Sequence, residues 1–451
     1  MAKGTVTVER RSLGLATTTS IVLGNMVGSG VFLLPATMAA YGAYSLMGWG
    51  VSTVGALFLA WVFSNLSRRL PKAGGPYAYP REAFGDFAGF QIAWIYWLSI
   101  VGTNAAIAVA FASYLVTFIP SLATSSVAGT LAALAATWVL TGINILGVKA
   151  AGRLQLITVI LKLTPLVVLA VFGLSHFSAA TFNSGHTSEG PLSAINSTAA
   201  LAMWAFLGLE CATVPADHVK DPEKTIPRAT LLGTVIAGIF YIVCTSVVMG
   251  IIPADVLAKS NAPFADAAAL LWGSWAGKLI AATALISCFG ALNGWILMQG
   301  QLPQAVANNG LFPKLLAKEG RFGTPVTALI VSSLIASGLL LMSMVGSMLN
   351  GGLGQTLVQM FNILILITTF FTLVPYMLCA LADIVLSRRD KRASNVRMRD
   401  VVIAGAAFVF GIWACYGTGK DSLFYGTLML LAGLPIYVWQ SGKASKAQAR
   451  A

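Results

Sequence analysis

Residues 24–36 read Gly24-Asn25-Met26-Val27-Gly28-Ser29-Gly30-Val31-Phe32-Leu33-Leu34-Pro35-Ala36 and lie inside an apolar run from about Leu13 to Ala40. That run is long enough to cross a bilayer, yet three glycines and a serine interrupt it. A broken helix is tolerated at membrane depth only where protein buries it or where it lines a wet cavity. A Gly-Ser-Gly break can present free N–H groups that suit a carboxylate. The stretch therefore predicts half of a substrate site, and a glycine-rich helix-packing face is the alternative.

The composition indicates a helical membrane protein that crosses the bilayer many times. Of the 451 residues, 57% are hydrophobic and 10% are charged, whereas soluble domains carry about 25% charged residues. The net charge of +13 does not indicate nucleic-acid binding, because the basic residues fall in short loops where they set topology. All five cysteines lie in apolar segments, so neither a disulfide framework nor a metal site is indicated, and no cofactor is expected. Arg10 and Arg11 precede an apolar run too long for a cleaved signal, so the first helix is expected to remain.

Twelve apolar segments are candidate membrane spans. Of the 28 Lys and Arg residues, 24 fall in one alternate set of loops and termini and three fall in the other, with Lys162 left inside a span. Because positive charge collects in cytoplasmic loops, both termini are predicted to be cytoplasmic. The spans are centred on residues 13–40, 44–66, 87–118, 126–147, 154–175, 194–215, 229–252, 276–305, 324–347, 356–383, 401–418 and 423–440.

The sixth span contains a second break, at Trp204-Ala205-Phe206-Leu207-Gly208-Leu209-Glu210-Cys211. Breaks at corresponding places five spans apart are expected from an inverted repeat of five plus five helices, a common plan of transporters. The chain then divides into a cytoplasmic tail, two repeats, two further helices and a second cytoplasmic tail, at residues 1–11, 12–175, 193–383, 400–440 and 441–451.

Two segments between the spans are interpreted as either gates or plain connectors. Residues 70–86 are a cytoplasmic loop rich in Gly, Pro and Tyr, and residues 260–272 predict a short outer helix over the mouth.

Two charged residues lie within span cores. Glu210 is the only acid well inside a span and sits at the second break, where a charge costs about 2.5–3.5 kcal/mol. It is predicted to be a cation ligand, a gate or a proton carrier, with a structural salt bridge or a neutral acid as the alternative. Lys162 is the only base in a core. It is predicted to be a proton-linked group, or to place its ammonium where related folds bind a sodium ion. The alternative is that its side chain extends to the cytoplasmic surface.

Aromatic and polar groups at mid-span leave two interpretations open. Trp204 lies beside the second break and Trp295 lies mid-span, where a ring can cover a cation or the aliphatic stem of a basic side chain. Packing is the alternative for each ring. The neutral polar groups are either substrate contacts or interhelical hydrogen-bonding groups, and they are Asn25, Ser99, Asn104, Asn293 and Thr368.

Several motifs together resemble the amino acid–polyamine–organocation (APC) transporter superfamily, over nearly the whole chain. They are Gly24 to Pro35, Gly74-Gly-Pro-Tyr-Ala-Tyr79, Trp204 to Glu210, Asp221-Pro-Glu-Lys-Thr-Ile-Pro227, Gly294-Trp295, Asn309-Gly-Leu-Phe-Pro313 and Phe371-Thr-Leu-Val-Pro-Tyr376. The branch they resemble is the bacterial basic amino acid/polyamine antiporters, which include the arginine/agmatine, lysine/cadaverine and ornithine/putrescine exchangers. The resemblance implies an all-α integral membrane fold of twelve transmembrane helices, with discontinuous helices 1 and 6, in the inner membrane. It also implies alternating access and sodium-independent exchange.

The resemblance further implies residue roles. The substrate α-carboxylate is expected at the first break, and the α-amino group at backbone carbonyls near both breaks. The substrate side chain is expected along Trp295, with its distal end against spans three and ten. The implied substrate residues are Asn25, Met26, Gly28, Ser29, Gly30, Ser99, Asn104, Trp204, Leu207, Glu210, Trp295 and Thr368. The implied gate consists of Tyr96, Glu210, Trp204, Trp295 and Tyr376.

Three functions follow as hypotheses. The first is an antiporter that exchanges a basic amino acid for its decarboxylated amine. The second, motivated by Lys162, is a proton-coupled amino acid symporter of broader specificity. The third is a membrane enzyme or receptor, but the span cores hold no His or Asp from which a catalytic set could be built. The expected partners are a small-molecule substrate and the lipid bilayer, and the sequence leaves open whether the chain forms a homodimer.

Overall fold

The computed structural model of the protein describes residues 13–28, 30–70, 75–123, 125–146, 163–213, 219–351, 357–389 and 398–448. Two predicted functional residues, Ser29 and Lys162, lie outside these ranges. Within them the regular structure is helical and contains no β-strand. The helices are α1 (Leu15–Met26), α2 (Gly30–Met38), α3 (Tyr44–Arg69), α4 (Ala78–Phe84), α5 (Asp86–Leu115), α6 (Ser126–Ile145), α7 (Leu163–His176), α8 (Ala179–Phe182), α9 (Pro191–Ala205), α10 (Pro222–Ile251), α11 (Ala254–Leu257), α12 (Pro263–Trp272), α13 (Ser274–Asn308), α14 (Val326–Gly351), α15 (Leu357–Arg389), α16 (Met398–Gly417), α17 (Lys420–Ala432) and α18 (Leu434–Gln448).

Nine helical segments of the described chain are long and apolar enough to cross a membrane, and α1 with α2 makes a tenth span bent by 40°. The multi-pass helical architecture predicted from composition is therefore present. The other two predicted spans, 154–175 and 194–215, extend into residues outside the described ranges. What is described of them includes the apolar helix α7 and the helix α9, which ends at Ala205.

The core of the molecule is built around α5, which packs against α6, α13 and α15. In the most apolar stretch of this helix 94% of the residues are buried, against 17% for Lys420–Ser441. A helix that is apolar on all sides belongs inside a bundle, which explains why α5 lies at the centre. That last span lies at the edge, with large apolar side chains such as Phe424, Leu431 and Trp439 exposed, as expected of a surface that faces lipid.

A short helix is present within the predicted segment 260–272, as α12, and packs against α13 and α2. Tyr114, at the end of α5, donates its hydroxyl to the carbonyl of Phe32 at 2.9 Å, and the same oxygen accepts the N–H of Phe264 at 3.4 Å. The three rings pack edge to face. The buried hydroxyl of Tyr114 thereby links the half-helix α2, the helix α5 and the helix α12.

The structure adds a second buried acid, Asp383, to the one predicted at Glu210. Helix α15 continues to Arg389, six residues beyond the predicted end of the tenth span, so that Asp383 lies inside the helix and is 2% exposed. Arg69 pairs with its carboxylate, and the Asn65 amide donates to the same group at 3.3 Å. The prediction missed this acid because Asp383 stood at the edge of the apolar run, where solvent was expected.

Removing one partner of this pair is expected to destabilise the protein strongly. In Arg69→Met the Asp383 carboxylate keeps its buried position without its cation, at a cost of about 3–5 kcal/mol. The measurement is thermal unfolding of purified protein in detergent. The double variant Arg69→Met/Asp383→Leu should recover much of the lost stability, because it removes both charges.

A matched control is the pair of Arg81 and Asp86, whose side chains are 31% and 63% exposed. Exposed pairs contribute about 0–1 kcal/mol, so Asp86→Asn should leave the unfolding temperature nearly unchanged. Equal losses in Arg69→Met and Asp86→Asn would contradict the assignment of Arg69 and Asp383 as a buried structural pair.

Candidate functional site

The two broken segments meet at Gly208. Helix α9 ends at Ala205, turns follow, and Gly208 adopts a backbone φ of +99°, in the left-handed region. A Cβ atom placed on Gly208 would lie 3.3 Å from Cβ of Asn25 and 3.4 Å from Cζ2 of Trp295. Glycine suits this position for two reasons, because L side chains rarely adopt the conformation and because the first break passes close by.

Tyr241 of α10 stabilises the break in the sixth span. Its hydroxyl donates to the carbonyl of Ala205 at 3.0 Å, one of the terminal carbonyls that α9 leaves without a partner in its own helix. Its ring packs against Trp49 and Phe206, with centroids 5.2 Å and 5.5 Å away. The interrupted backbone thus has a buried polar partner, as it requires at membrane depth.

A cavity of about 20 Å³ lies between the two breaks. Ligand pockets are usually roughly 300–1,000 Å³, so this cavity admits water but no amino acid. Binding an amino acid at this cavity therefore requires its lining to move apart. Seven of the predicted substrate residues line the cavity, namely Asn25, Met26, Gly28, Gly30, Trp204, Leu207 and Trp295.

Trp204 lines the cavity from the sixth span. Its ring stands edge-on to Phe361 of α15, with centroids 5.2 Å apart. Gly30 lies against the same ring, because a Cβ atom placed there would be 2.9 Å from Cζ3 of Trp204. The indole N–H is buried and has no hydrogen-bond partner among the described residues. An acceptor atom of a bound molecule that came within reach would satisfy this donor.

Glu210 is not part of the cavity lining. It lies within a cluster of hydrogen-bond donors and is 1% exposed. Tyr96 of α5 donates its hydroxyl to Oε1 at 2.6 Å, and Tyr376 of α15 donates to Oε2. The backbone N–H of Gly208 donates to Oε2 at 3.2 Å. Glu210 therefore links the broken sixth span to α5 and to α15. The predicted gate residues Tyr96, Glu210 and Tyr376 are in contact with one another through this carboxylate.

Two predicted contacts of the substrate's distal end bond within their own helices in this structure. Ser99 and Thr368 each donate a hydroxyl to a carbonyl about one turn earlier, at 2.7 Å and 2.6 Å. Ser and Thr commonly bond in this way inside helices. Neither lines the cavity, so their contact with substrate stays a prediction.

Two asparagines form interhelical hydrogen bonds. Asn104 donates its amide to Oε1 of Gln299 at 2.7 Å, and Asn293 accepts the Asn144 amide at 2.8 Å. For Asn293 the geometry favours the helix-packing interpretation. Asn104 does not line the cavity, but its neighbour Thr103 does.

One expectation about the first break is wrong for this conformation. The backbone N–H of Gly28 is not free, because it donates to the carbonyl of Met26 at 2.8 Å. A backbone donor that lacks a helical partner takes a nearby carbonyl when one is in reach. Occupying the Gly28 N–H with a substrate carboxylate therefore requires this local bond to break.

Three further cavity residues were not predicted, Thr103, Ile107 and Ala205. Thr103 and Ile107 stand four residues apart on α5 and so share one helix face. The prediction selected Asn104 because its amide is the more polar group, whereas Thr103 lies in an apolar run and has no distinguishing sequence signal. The face of α5 that lines the cavity depends on helix rotation, which span hydropathy does not determine.

Among the residues that the structure describes, no group of three His, Cys, Asp or Glu side chains is placed to hold a metal ion.

The fold and the site together define a class of protein. A multi-pass helical membrane protein whose broken segments meet around a central cavity has the arrangement of a secondary transporter, in which discontinuous helices form the substrate site.

Comparison with known proteins gives the family. The sequence pattern described as "Amino acid permease" matches residues 13–432. The chain is 37% identical over 370 residues to the cadaverine/lysine antiporter of Escherichia coli (strain K12), covering 81% of this chain and 82% of that protein. It is 32% identical over 435 residues to the putrescine transporter PotE of Escherichia coli (strain K12), covering 95% and 96%. It is 31% identical over 441 residues to the PotE protein of Haemophilus influenzae, covering 97% and 99%.

The chain belongs to the amino acid permease family of the APC superfamily. The resemblance identified from the motifs is thereby confirmed, and the protein is a transporter rather than an enzyme.

Proposed function

We propose that the protein exchanges a basic amino acid for its decarboxylated amine across the inner membrane, without sodium, by alternating access. Its relatives are named as an antiporter of cadaverine and lysine and as a putrescine transporter. Lysine, cadaverine and putrescine all carry a primary ammonium at the end of an aliphatic chain. The observation that carries the proposal is the cavity between the two breaks, bordered by two tryptophans and adjacent to one buried acid.

The proposed architecture has twelve transmembrane helices, of which ten belong to a five-plus-five inverted repeat at residues 12–175 and 193–383. The breaks on either side of the cavity support this plan, since they lie in the first and sixth predicted spans. The high exposure of Lys420–Ser441 agrees with helices outside the repeat at 400–440. Both termini, at 1–11 and 441–451, are proposed to be cytoplasmic, and the loop charges support that orientation.

The chemistry of the lining supports a zwitterion with a cationic side chain. The free indole N–H of Trp204 is a donor for a carboxylate oxygen. The ring of Trp295 can lie along an aliphatic stem or face an ammonium. Glu210 supplies the negative charge nearest to the second break, through its bond with the N–H of Gly208. Loss of the Gly208 bond when substrate arrives would free the carboxylate to respond to a cation.

A proton-coupled amino acid symporter is the second candidate. It was motivated by Lys162, which lies outside the described residues, and Glu210 gives it an independent observation. Protonation would turn one carboxylate oxygen into a donor, so one of the two tyrosine hydroxyls would have to turn and accept instead of donating. Proton binding at Glu210 would thus rearrange the hydrogen bonds that hold the sixth span to α5 and α15.

The test is uptake of radiolabelled lysine, putrescine or cadaverine into proteoliposomes. We expect uptake to be at least tenfold faster when the vesicles contain cadaverine or putrescine than when they are empty, because exchange requires a substrate on the opposite side. Replacing sodium by potassium on both sides should leave the rate unchanged.

Two outcomes would decide against exchange. Equal uptake into loaded and empty vesicles would contradict the antiporter. If uptake into empty vesicles also rises when an inward proton gradient is imposed, the symporter becomes the better description. Protein-free vesicles and the Glu210→Gln variant are the matched controls.

A further inference from the structure

Asn104 has one amide oxygen without a partner, although its side chain is completely buried. The nitrogen Nδ2 donates to Oε1 of Gln299 at 2.7 Å, while Oδ1 has no hydrogen-bond partner among the described residues. A buried acceptor left in this way is uncommon and calls for an explanation. Asn104 does not itself line the cavity, but it is adjacent to Thr103 and three residues before Ile107, both of which do.

The orientation of the Asn104 amide is set by hydrogen bonds further from the cavity. Thr141 of α6 donates its only hydroxyl proton to the carbonyl of Thr137 at 2.7 Å. Its oxygen also lies 2.7 Å from Oγ of Ser333. Because the Thr141 proton is already used, Ser333 must be the donor in that second bond.

Ser333 in turn determines the orientation of Gln299. Having donated its own proton, Ser333 Oγ can only accept, and it accepts Nε2 of Gln299 at 2.9 Å. The Gln299 amide therefore directs its oxygen toward Asn104. Asn104 must meet that oxygen with its nitrogen, which leaves Oδ1 as the free atom.

We infer that Gln299, Ser333 and Thr141 are positioning residues that hold Asn104 with its carbonyl oxygen available to substrate, so that this end of the site accepts hydrogen bonds and donates none. The group recognised there is a hydrogen-bond donor, such as the terminal ammonium of a diamine or of a basic amino acid. A carboxylate or a carbonyl, which can only accept, is disfavoured. The inference rests on the proposed function and specifies which chemical group of the substrate this corner distinguishes.

Gln299 also links this corner to the cavity wall. It stands four residues after Trp295 on α13, one helical turn away, and both side chains are buried. Residues at this spacing lie on one helix face. The hydrogen bond between Gln299 and Asn104 therefore joins α13 to α5 one turn from the ring that is proposed to lie along the substrate.

The test measures the dissociation constants of lysine and of norleucine, which is lysine without its terminal nitrogen, by calorimetry on purified full-length protein. In Ser333→Ala the Gln299 amide loses the contact that orients it, and in Gln299→Met the amide is absent. Both variants free Asn104 to turn its amide nitrogen toward substrate. We expect the preference for lysine over norleucine to fall about tenfold, the scale of one hydrogen bond to a charged group, with norleucine affinity unchanged within twofold.

Two matched variants separate positioning from general packing. Ser333→Thr keeps the hydroxyl and should keep the preference. Ser337→Ala removes a hydroxyl one turn later on α14 that bonds to the Ser333 carbonyl but takes no part in the chain to Asn104, and it should also keep the preference.

Equal loss of affinity for both ligands in Ser333→Ala and Gln299→Met would show a structural role and overturn the inference. An unchanged preference in those two variants would overturn it as well. If the unmodified protein binds lysine no better than norleucine, the proposed cationic substrate is wrong, and the inference fails with it. If the unmodified protein prefers lysine and both variants retain that preference, only the positioning role is refuted.

Discussion

Gly30→Ala is expected to reduce transport by about tenfold to a hundredfold. The added Cβ atom would lie 2.9 Å from Cζ3 of Trp204 and 3.4 Å from Cα of Ala205. Either the ring must leave its place against Phe361, or α2 must move away from the sixth span. Overpacking of this kind costs about 1–3 kcal/mol, and every tenfold in rate or affinity corresponds to about 1.4 kcal/mol. The measurement is the initial rate of substrate uptake into proteoliposomes.

Gly28→Ala is the matched control for this prediction. It changes the same type of residue in the same break, but its Cβ atom would lie 3.4 Å from Cβ of Ala291, an ordinary contact distance. Because Gly28 also borders the cavity, the comparison lies in the size of the loss, and uptake by Gly28→Ala should fall clearly less than uptake by Gly30→Ala. If the two variants lose activity equally, or if Gly30→Ala transports normally, the close approach of Gly30 to Trp204 does not limit transport.

Glu210→Gln is expected to reduce transport of a cationic substrate about a hundredfold. The amide removes the negative charge, and its NH₂ group faces one of two tyrosine hydroxyls that now donate to the carboxylate. Removing one charge of a buried, hydrogen-bonded charge pair costs about 2–5 kcal/mol, and a substrate ammonium paired with Glu210 would lose its carboxylate in this way. The measurement is again uptake into proteoliposomes, together with thermal unfolding to exclude a misfolded protein.

Tyr96→Phe provides the comparison, because it removes one hydroxyl and leaves the carboxylate and its other two donors. A hydrogen bond to a charged group contributes about 1.5–3 kcal/mol, so a smaller loss of about tenfold is expected. Transport by Glu210→Gln within threefold of the unmodified protein would mean that the charge has no part in substrate exchange, and Glu210 would then be only a structural acceptor.

The sequence predicted ten of the spans and both breaks because each leaves a strong local signal. A membrane helix requires about 20 apolar residues, and a Gly-Ser-Gly insertion or an internal acid conflicts with that requirement. The first break at Val27–Gly28 and the second at Gly208 therefore fall where they were expected. The end of α15 has no such signal. The helix continues six residues beyond the predicted end of the span, and Asp383 therefore lies inside the protein.

The details of the site depended on relations between helices that no local pattern contains. Whether Thr103 or Asn104 borders the cavity is decided by the rotation of α5, which is buried nearly all round and so carries little amphipathic signal. The chain of hydrogen bonds from Thr141 to Asn104 joins residues nearly 200 positions apart, since it passes through Ser333 and Gln299. Its members are ordinary polar residues in apolar helices, and only their contacts show that they act together.

A compartment smaller than its cargo has an energetic consequence. With about 20 Å³ between the two breaks, an arriving molecule must do work on the protein, and part of the energy of each new contact is used to separate the walls. Measured affinity is then the difference between contact energy and opening energy. A shortened cargo loses its own contacts while the opening work stays nearly constant, so it should lose a larger fraction of its binding free energy than of its contact surface.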